Sequence, residues 1–190
     1  WNTERWATPW TALRWTVPEM CGGRGRAVYF DCPTLVLGDV AYLEQIVMLS
    51  GAFMLARREG RGLLTSCIVF DCAEAVRHLP AISVMKKNVG AHQDVGALLE
   101  RCPHLVGALP GGWGWSDQAY AQARPSEVPD GSVHFEKLQV QPHIPLADAR
   151  LRREGREHWF RGARLPHYCS RLTTLWGAEY VEAERAGAHL

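Results

Sequence analysis

Short apolar runs, separated by polar, glycine- and proline-containing stretches, mark out this chain. Residues 27–30 (AVYF) are apolar and aromatic, which predicts a buried strand, and the run stops at Asp31. Pro33 blocks a simple continuation as a central strand, because proline has no N–H to give to a ladder. A second run at 35–37 leads to Gly38 and Asp39, and Asp39 before VAYLEQI predicts a helix N-cap. Two carboxylates thus flank a strand–turn–strand unit. A carboxylate at the C-terminal end of a buried strand is where open α/β sheets hold ligands. The plainer alternative is that Asp31 is a turn residue and Asp39 only a cap. The chain carries its own control: IVFDC at 68–72 repeats VYFDC at 28–32, and Asp71 there precedes AEAVRHL as a simple helix cap.

The remaining pattern alternates strands with helices. Residues 11–17 (TALRWTV) predict a short helix ended by Pro18, among Trp1, Trp6, Trp10 and Trp15. CGGRG at 21–25 reads as a turn and lacks the spacing of a phosphate loop. Strands are expected at 51–56 and 63–70, with 57–62 (RREGRG) as a charged turn between them. Helices are expected at 71–79 and 93–102. Residues 107–118 are glycine- and aromatic-rich, a composition expected of a loop lying over a pocket. A polar connection, 122–131, then leads to a strand at 132–138 carrying His134. A charged helix is expected at 147–161. A terminal helix at 172–186 should bury Leu175, Trp176 and Tyr180. Strands alternating with helices predict an α/β fold in a single domain, 1–190.

Composition narrows the chemistry. The 190 residues are 47% hydrophobic and 22% charged, which is ordinary for a globular domain. A net charge of +1 offers no electrostatic footprint for nucleic acid. No apolar run approaches the roughly 20 residues that cross a bilayer. Six cysteines form no CxxC pair, which argues against zinc-ribbon and thioredoxin-type chemistry. Several sit in strand-like apolar runs, so a reducing, cytoplasmic setting is expected. A reactive Cys32 or Cys72 would be a third functional class, but no His or Asn stands in a recognisable catalytic spacing. Arg14 lies among the N-terminal aromatics, and a guanidinium suits bidentate phosphate or hydroxyl recognition.

The order of these landmarks carries a resemblance. Arg14-Trp15-x-x-Pro18-Glu19 leads through Cys21-Gly22 to Val28-Tyr29-Phe30-Asp31-Cys32 and Leu35-Val36-Leu37-Gly38-Asp39. Thr65-Ser66-Cys67 and Phe70-Asp71-Cys72-Ala73 follow, then Leu109-Pro110 with Trp113, then His134-Phe135 with Gln141-Pro142. Over about residues 11–145 this resembles the glycogenin- and galactosyltransferase-like GT-A glycosyltransferases, most nearly a bacterial branch with Asp-Cys-Asp and His-Tyr-Thr…Gln-Pro-Trp motifs. The resemblance implies a GT-A-like mixed sheet flanked by helices. With only 30 residues before Asp31, it also implies a chain without the first strand–helix unit, as in an N-terminally truncated fragment. It implies a metal-assisted, retaining transfer of a hexose from a UDP-sugar donor to a carbohydrate or lipid-linked acceptor. The ion would be manganese or magnesium, which stabilises a diphosphate leaving group as a Lewis acid.

By position, Asp31 and His134 are the implied metal ligands. Arg14, Asp31, Ser66 and Trp113 are the implied substrate-binding residues, and Asp117 and Gln118 the implied catalytic pair. Asp117 could equally cap a helix starting near Ala119, and Thr65 and Ser66 could be plain strand residues. The chain departs from the family pattern at several places. Pro33 replaces the second Asp of Asp-x-Asp, Gly114 the Asn after Trp, Glu136 the Thr, and His143 the final Trp. Glu136 or His143 is a candidate replacement ligand. These departures leave a second reading open, a catalytically degenerate protein of this fold with at most weak sugar-nucleotide binding.

Overall fold

The computed structural model describes residues 1, 8, 10–60, 62–127 and 130–188. Strands β1 (Arg26–Phe30), β2 (Thr34–Val36), β3 (Met54–Glu59), β4 (Gly62–Asp71), β5 (Val106–Ala108), β6 (Trp115–Ser116) and β7 (Ser132–His134) form two sheets. The first has the order β1-β4-β3-β5, and the second β2-β7-β6. Both are mixed: β3 pairs with β5, and β6 with β7, in parallel, and the other pairings are antiparallel. The helices are α1 (Val17–Met20), α2 (Ala41–Glu44), α3 (Cys72–His78), α4 (Ile82–Met85), α5 (Ala91–Arg101), α6 (Asp117–Gln122), α7 (Ile144–Arg153) and α8 (Ser170–Arg185).

The pleat of β4 explains its continuous apolar run. Ile68 and Phe70 pack with Trp15, Phe53, Met54 and the α5 residues Val95 and Leu99. Cys67 and Val69 face the other way, onto Leu43, Leu55, Leu109 and Trp113. A strand buried on both faces cannot show polar alternation. A third cluster joins Leu35, Tyr120, Val133, Phe135 and Leu172, which seats the second sheet against α6 and α8.

The two look-alike segments turn out to be each other's neighbours. β1 and β4 pair antiparallel with Val28 opposite Val69 and Phe30 opposite Cys67. Asp31 and Asp71 therefore stand at opposite ends of one sheet. Asp71 caps α3, accepting the Glu74 N–H at 3.1 Å. Asp39 accepts the Ala41 N–H at 2.9 Å, but only at the start of the single-turn α2.

Several sequence expectations need correction. Pro18 does not end the first helix; a 3-10 turn (Leu13–Thr16) runs into α1 with Pro18 in its first turn, where a missing N–H costs nothing. The charged stretch after Ala56 is mostly strand. Arg57, Arg58 and Glu59 continue β3, and Gly60 turns at φ +56°. Arg57 leaves the core by laying its guanidinium over the Trp115 ring, 4.3 Å from the centroid, and donating to the Gly111 carbonyl. The strand expected at 132–138 stops at His134. The charged helix starts earlier than expected, at Ile144, and ends at Arg153, because Gly155 takes the left-handed conformation at φ +68°. Residues 107–118 do not form one loop. They supply β5, β6 and the start of α6, and join the two sheets. Among the described residues, no helix is long and apolar enough to cross a membrane.

Removing a true cap should cost more than removing a peripheral one. Asp71→Ala is expected to lower stability to urea by about 1 kcal/mol, and Asp39→Ala by roughly half of that or less. Equal losses, or the reverse order, would contradict these assignments.

Candidate functional site

Asp31 is the first residue beyond β1. Its N–H still donates to the Ser66 carbonyl at 2.8 Å, extending the β1–β4 ladder by one residue. Pro33 then accepts the Phe135 N–H at 2.8 Å, in the second sheet. The three-residue turn 31–33 is thus the crossing from one sheet to the other, and Pro33 serves it by offering an acceptor without needing a partner for an N–H.

Arg14 reaches this turn from the 3-10 segment, which Trp15 anchors by donating its indole N–H to His92 Nδ1 at 2.9 Å. Every arm of the guanidinium is engaged. Nε donates to the Thr11 carbonyl at 3.1 Å, and Nη1 to the Thr65 carbonyl at 2.9 Å and to the Thr65 hydroxyl. Nη2 donates to both Asp31 oxygens, at 3.1 and 3.0 Å. The two side chains are 12% and 20% exposed. The Tyr29 hydroxyl donates to Asp31 Oδ1. Burial, and then that bond, raise the Tyr29 pKa and keep the phenol protonated.

This ion pair stands in the wall of a cleft of about 360 Å³, with His134, Glu136, Gln141 and His143. Trp10 and Trp159, packed edge to face at 5.4 Å, form part of the same wall. His134 sits at the end of β7 with Nδ1 3.2 Å from the Thr34 hydroxyl. Burial lowers its pKa first of all, against the attraction of Asp31, so the ring is held neutral. Burial likewise lowers His143 and raises the Glu136 carboxyl. The cleft therefore combines one fixed guanidinium, neutral imidazoles, a carboxyl with raised pKa and an aromatic wall. Such a set offers both hydrogen-bonding groups and aromatic surface.

The cleft brings together Arg14, Asp31 and His134, with the candidate replacement ligands Glu136 and His143, whereas Ser66, Trp113, Asp117 and Gln118 are not in its lining. Ser66 is buried in β4 and meets Asp31 through its backbone carbonyl. Trp113 is 4% exposed and packs on Phe30, Leu43 and Leu109, so it is core rather than cleft lining. Its neighbour Gly114 lies at φ +70°, a conformation open to glycine. Gln118 is exposed on α6, away from the cleft.

Asp117 is buried. Its Oδ2 lies 3.0 Å from His167 Nε2, with both side chains 1% exposed. His167 Nδ1 accepts the Cys169 N–H at 3.0 Å, so Nε2 carries the proton that is donated to Asp117. Asp117 Oδ1 has no regular hydrogen bond. The Tyr168 hydroxyl stands close enough that burial, and then this carboxylate, raise its pKa. Asp117 locks α6 to the segment before α8, and Ser116, not Asp117, caps α6 by accepting the Ala119 N–H.

The residues do not fit a divalent ion as they stand. Both Asp31 oxygens bond to Arg14, Pro33 supplies no side-chain ligand, and no group of three His, Cys, Asp or Glu suited to a metal occurs among the described residues. Trp159 and His158 line the cleft and were passed over as site residues in the sequence. Trp159 and His158 lie far along the chain in a region read as solvated helix.

With the geometry in view, the chain can be set against known proteins. No protein-family model matches it, and no curated protein matches it. Among solved structures it is similar to the glycosyltransferase GlyE of Streptococcus pneumoniae TIGR4, with a TM-score of 0.50 and 15% identity over 89% of this chain and 46% of that one. The apo form of GlyE gives a TM-score of 0.50 and 16% identity over 90% of this chain and 46% of that one. The chain thus has a fold similar to that of a glycosyltransferase and spans about half the length of those structures.

Breaking the ion pair from one side leaves an enclosed carboxylate without its cation. Arg14→Ala is expected to cost about 2–4 kcal/mol in urea unfolding. The Arg14→Ala/Asp31→Ala double variant should lose less than the sum of the single losses. Additive losses would show that the pair is not coupled.

Proposed function

We propose that the cleft binds a sugar nucleotide and that the chain is a glycosyltransferase-type domain acting on a UDP-hexose donor. The observation that carries this reading is the Arg14–Asp31 pair at the end of β1, facing His134 across a cleft, in a fold similar to a glycosyltransferase. Arg14 has the fork geometry for a phosphate and is already held in place, so little side-chain entropy is lost when a diphosphate displaces Asp31 from one arm. The released Asp31 carboxylate is then free to accept from sugar hydroxyls. The neutral His134 ring can donate to or accept from the same ligand. The face of Trp10 or Trp159 is suited to a flat base. A divalent ion was implied by the family resemblance, but these residues do not fit its ligand set.

A second reading has its own observation. Asp117 is sealed against His167, and among the described residues no other carboxylate joins Asp31 in the cleft with the geometry of a metal pair. A degenerate domain that binds a sugar nucleotide without turning it over would look like this.

UDP release from UDP-glucose and UDP-galactose separates the two. The transferase reading predicts slow release, abolished in Asp31→Asn and changed less than about threefold by EDTA, under 1 kcal/mol of barrier. No release from either donor, with donor binding retained, would leave only the degenerate reading.

A further inference from the structure

A second hollow of about 410 Å³ lies beside the cleft, and Cys32, Pro33 and His143 stand in the walls of both. Its far wall is α8. Trp176 and Tyr180, one helical turn apart, stack nearly parallel there, with centroids 5.3 Å apart and 13° between the planes. Stacked side chains at i and i+4 are what the helix spacing produces. Trp176 is only half-buried, although it packs against the third core cluster, so one part of its surface is left to the hollow. Phe135 closes the floor, and Glu179 and Glu184 stand at the rim. The Tyr180 hydroxyl donates to Glu184 Oε1 at 2.5 Å, which fixes that carboxylate beside the aromatic pair.

We propose that this hollow is the acceptor subsite of the cleft, and that it takes a neutral pyranose ring on the Trp176–Tyr180 platform. The inference rests on the reading of the cleft as a sugar-nucleotide site. A pyranose has one apolar C–H face and a rim of hydroxyls. The ring surface that this parallel pair leaves to the hollow is electron-rich and suits that face, and the rim carboxylates accept from the hydroxyls. The volume falls in the range of small-ligand pockets and accommodates one or two sugar rings. The two rim carboxylates select against a phosphate or an anionic lipid head at this spot. The shared walls Cys32, Pro33 and His143 place a ring seated here next to the cleft that holds Arg14.

The test is saturation-transfer NMR on the intact chain with methyl glucoside, methyl galactoside, maltose and lactose as probes, and UDP as an internal control. Saturation is expected to pass from aromatic protons to the C–H protons of at least one sugar. It should fall by about tenfold or more in Trp176→Ala, the equivalent of 1.4 kcal/mol of binding. Because Trp176 also packs on the core, Ala183→Trp serves as the second variant. Ala183 is exposed at the rim of the hollow, so this change fills the space and removes no packing. It should abolish sugar transfer and leave UDP transfer unchanged. No transfer to any of the four sugars, or transfer that persists in Ala183→Trp, overturns the proposal. Sugar transfer without UDP transfer would sink the sugar-nucleotide reading of the cleft and the acceptor role with it, whereas UDP transfer without sugar transfer sinks the subsite alone.

Discussion

The Arg14–Asp31 ion pair closes the point where the chain passes from one sheet to the other. Asp31 ends the first sheet by its N–H bond to Ser66, and Pro33 opens the second by accepting from Phe135. Between them the chain must change direction in three residues, with a carboxylate turned into a partly enclosed space. Arg14 makes that tolerable by holding both oxygens while Thr11 and Thr65 hold Arg14. The cleft, the His134 strand end and the second hollow are all arranged around this one turn.

The same pair decides the chemistry that the site can offer. A carboxylate committed to a guanidinium is a poor metal ligand but a good latent acceptor. A guanidinium committed to a carboxylate is a pre-positioned anion site. On the proposed reading, an anionic ligand exchanges one charged partner for another inside a half-enclosed space, where such bonds are stronger than in water. The buried Asp117–His167 pair is a different device. It bridges positions 50 residues apart and fastens α6 to the chain entering α8, and α8 carries the aromatic platform.

How much of this could be read from the sequence depended on how local each cause was. β1, β4 and the α3 cap were legible, because apolar runs and an Asp before a helical pattern are local signals. Arg14, Asp31 and His134 were legible as candidates, though their partners were not. The bonds that fix Arg14 come from positions up to 51 residues away. Trp113 packs in the core, and an aromatic in a glycine-rich stretch looks alike in a loop and in a core. Asp117 is paired with His167, 50 residues away, a partner that no local signal in the sequence names. The early end of α7 turned on the left-handed Gly155. Arg57 to Glu59 read as a turn because their charge hid a strand whose end leaves the core.

Calorimetric titration of UDP into the intact chain, with and without excess manganese, bears most directly on the account. Micromolar binding without added metal, changed little by manganese and lost in His134→Ala, is the result predicted for a cleft whose cation is Arg14. No heat in either condition, or binding that appears only with manganese, would contradict it.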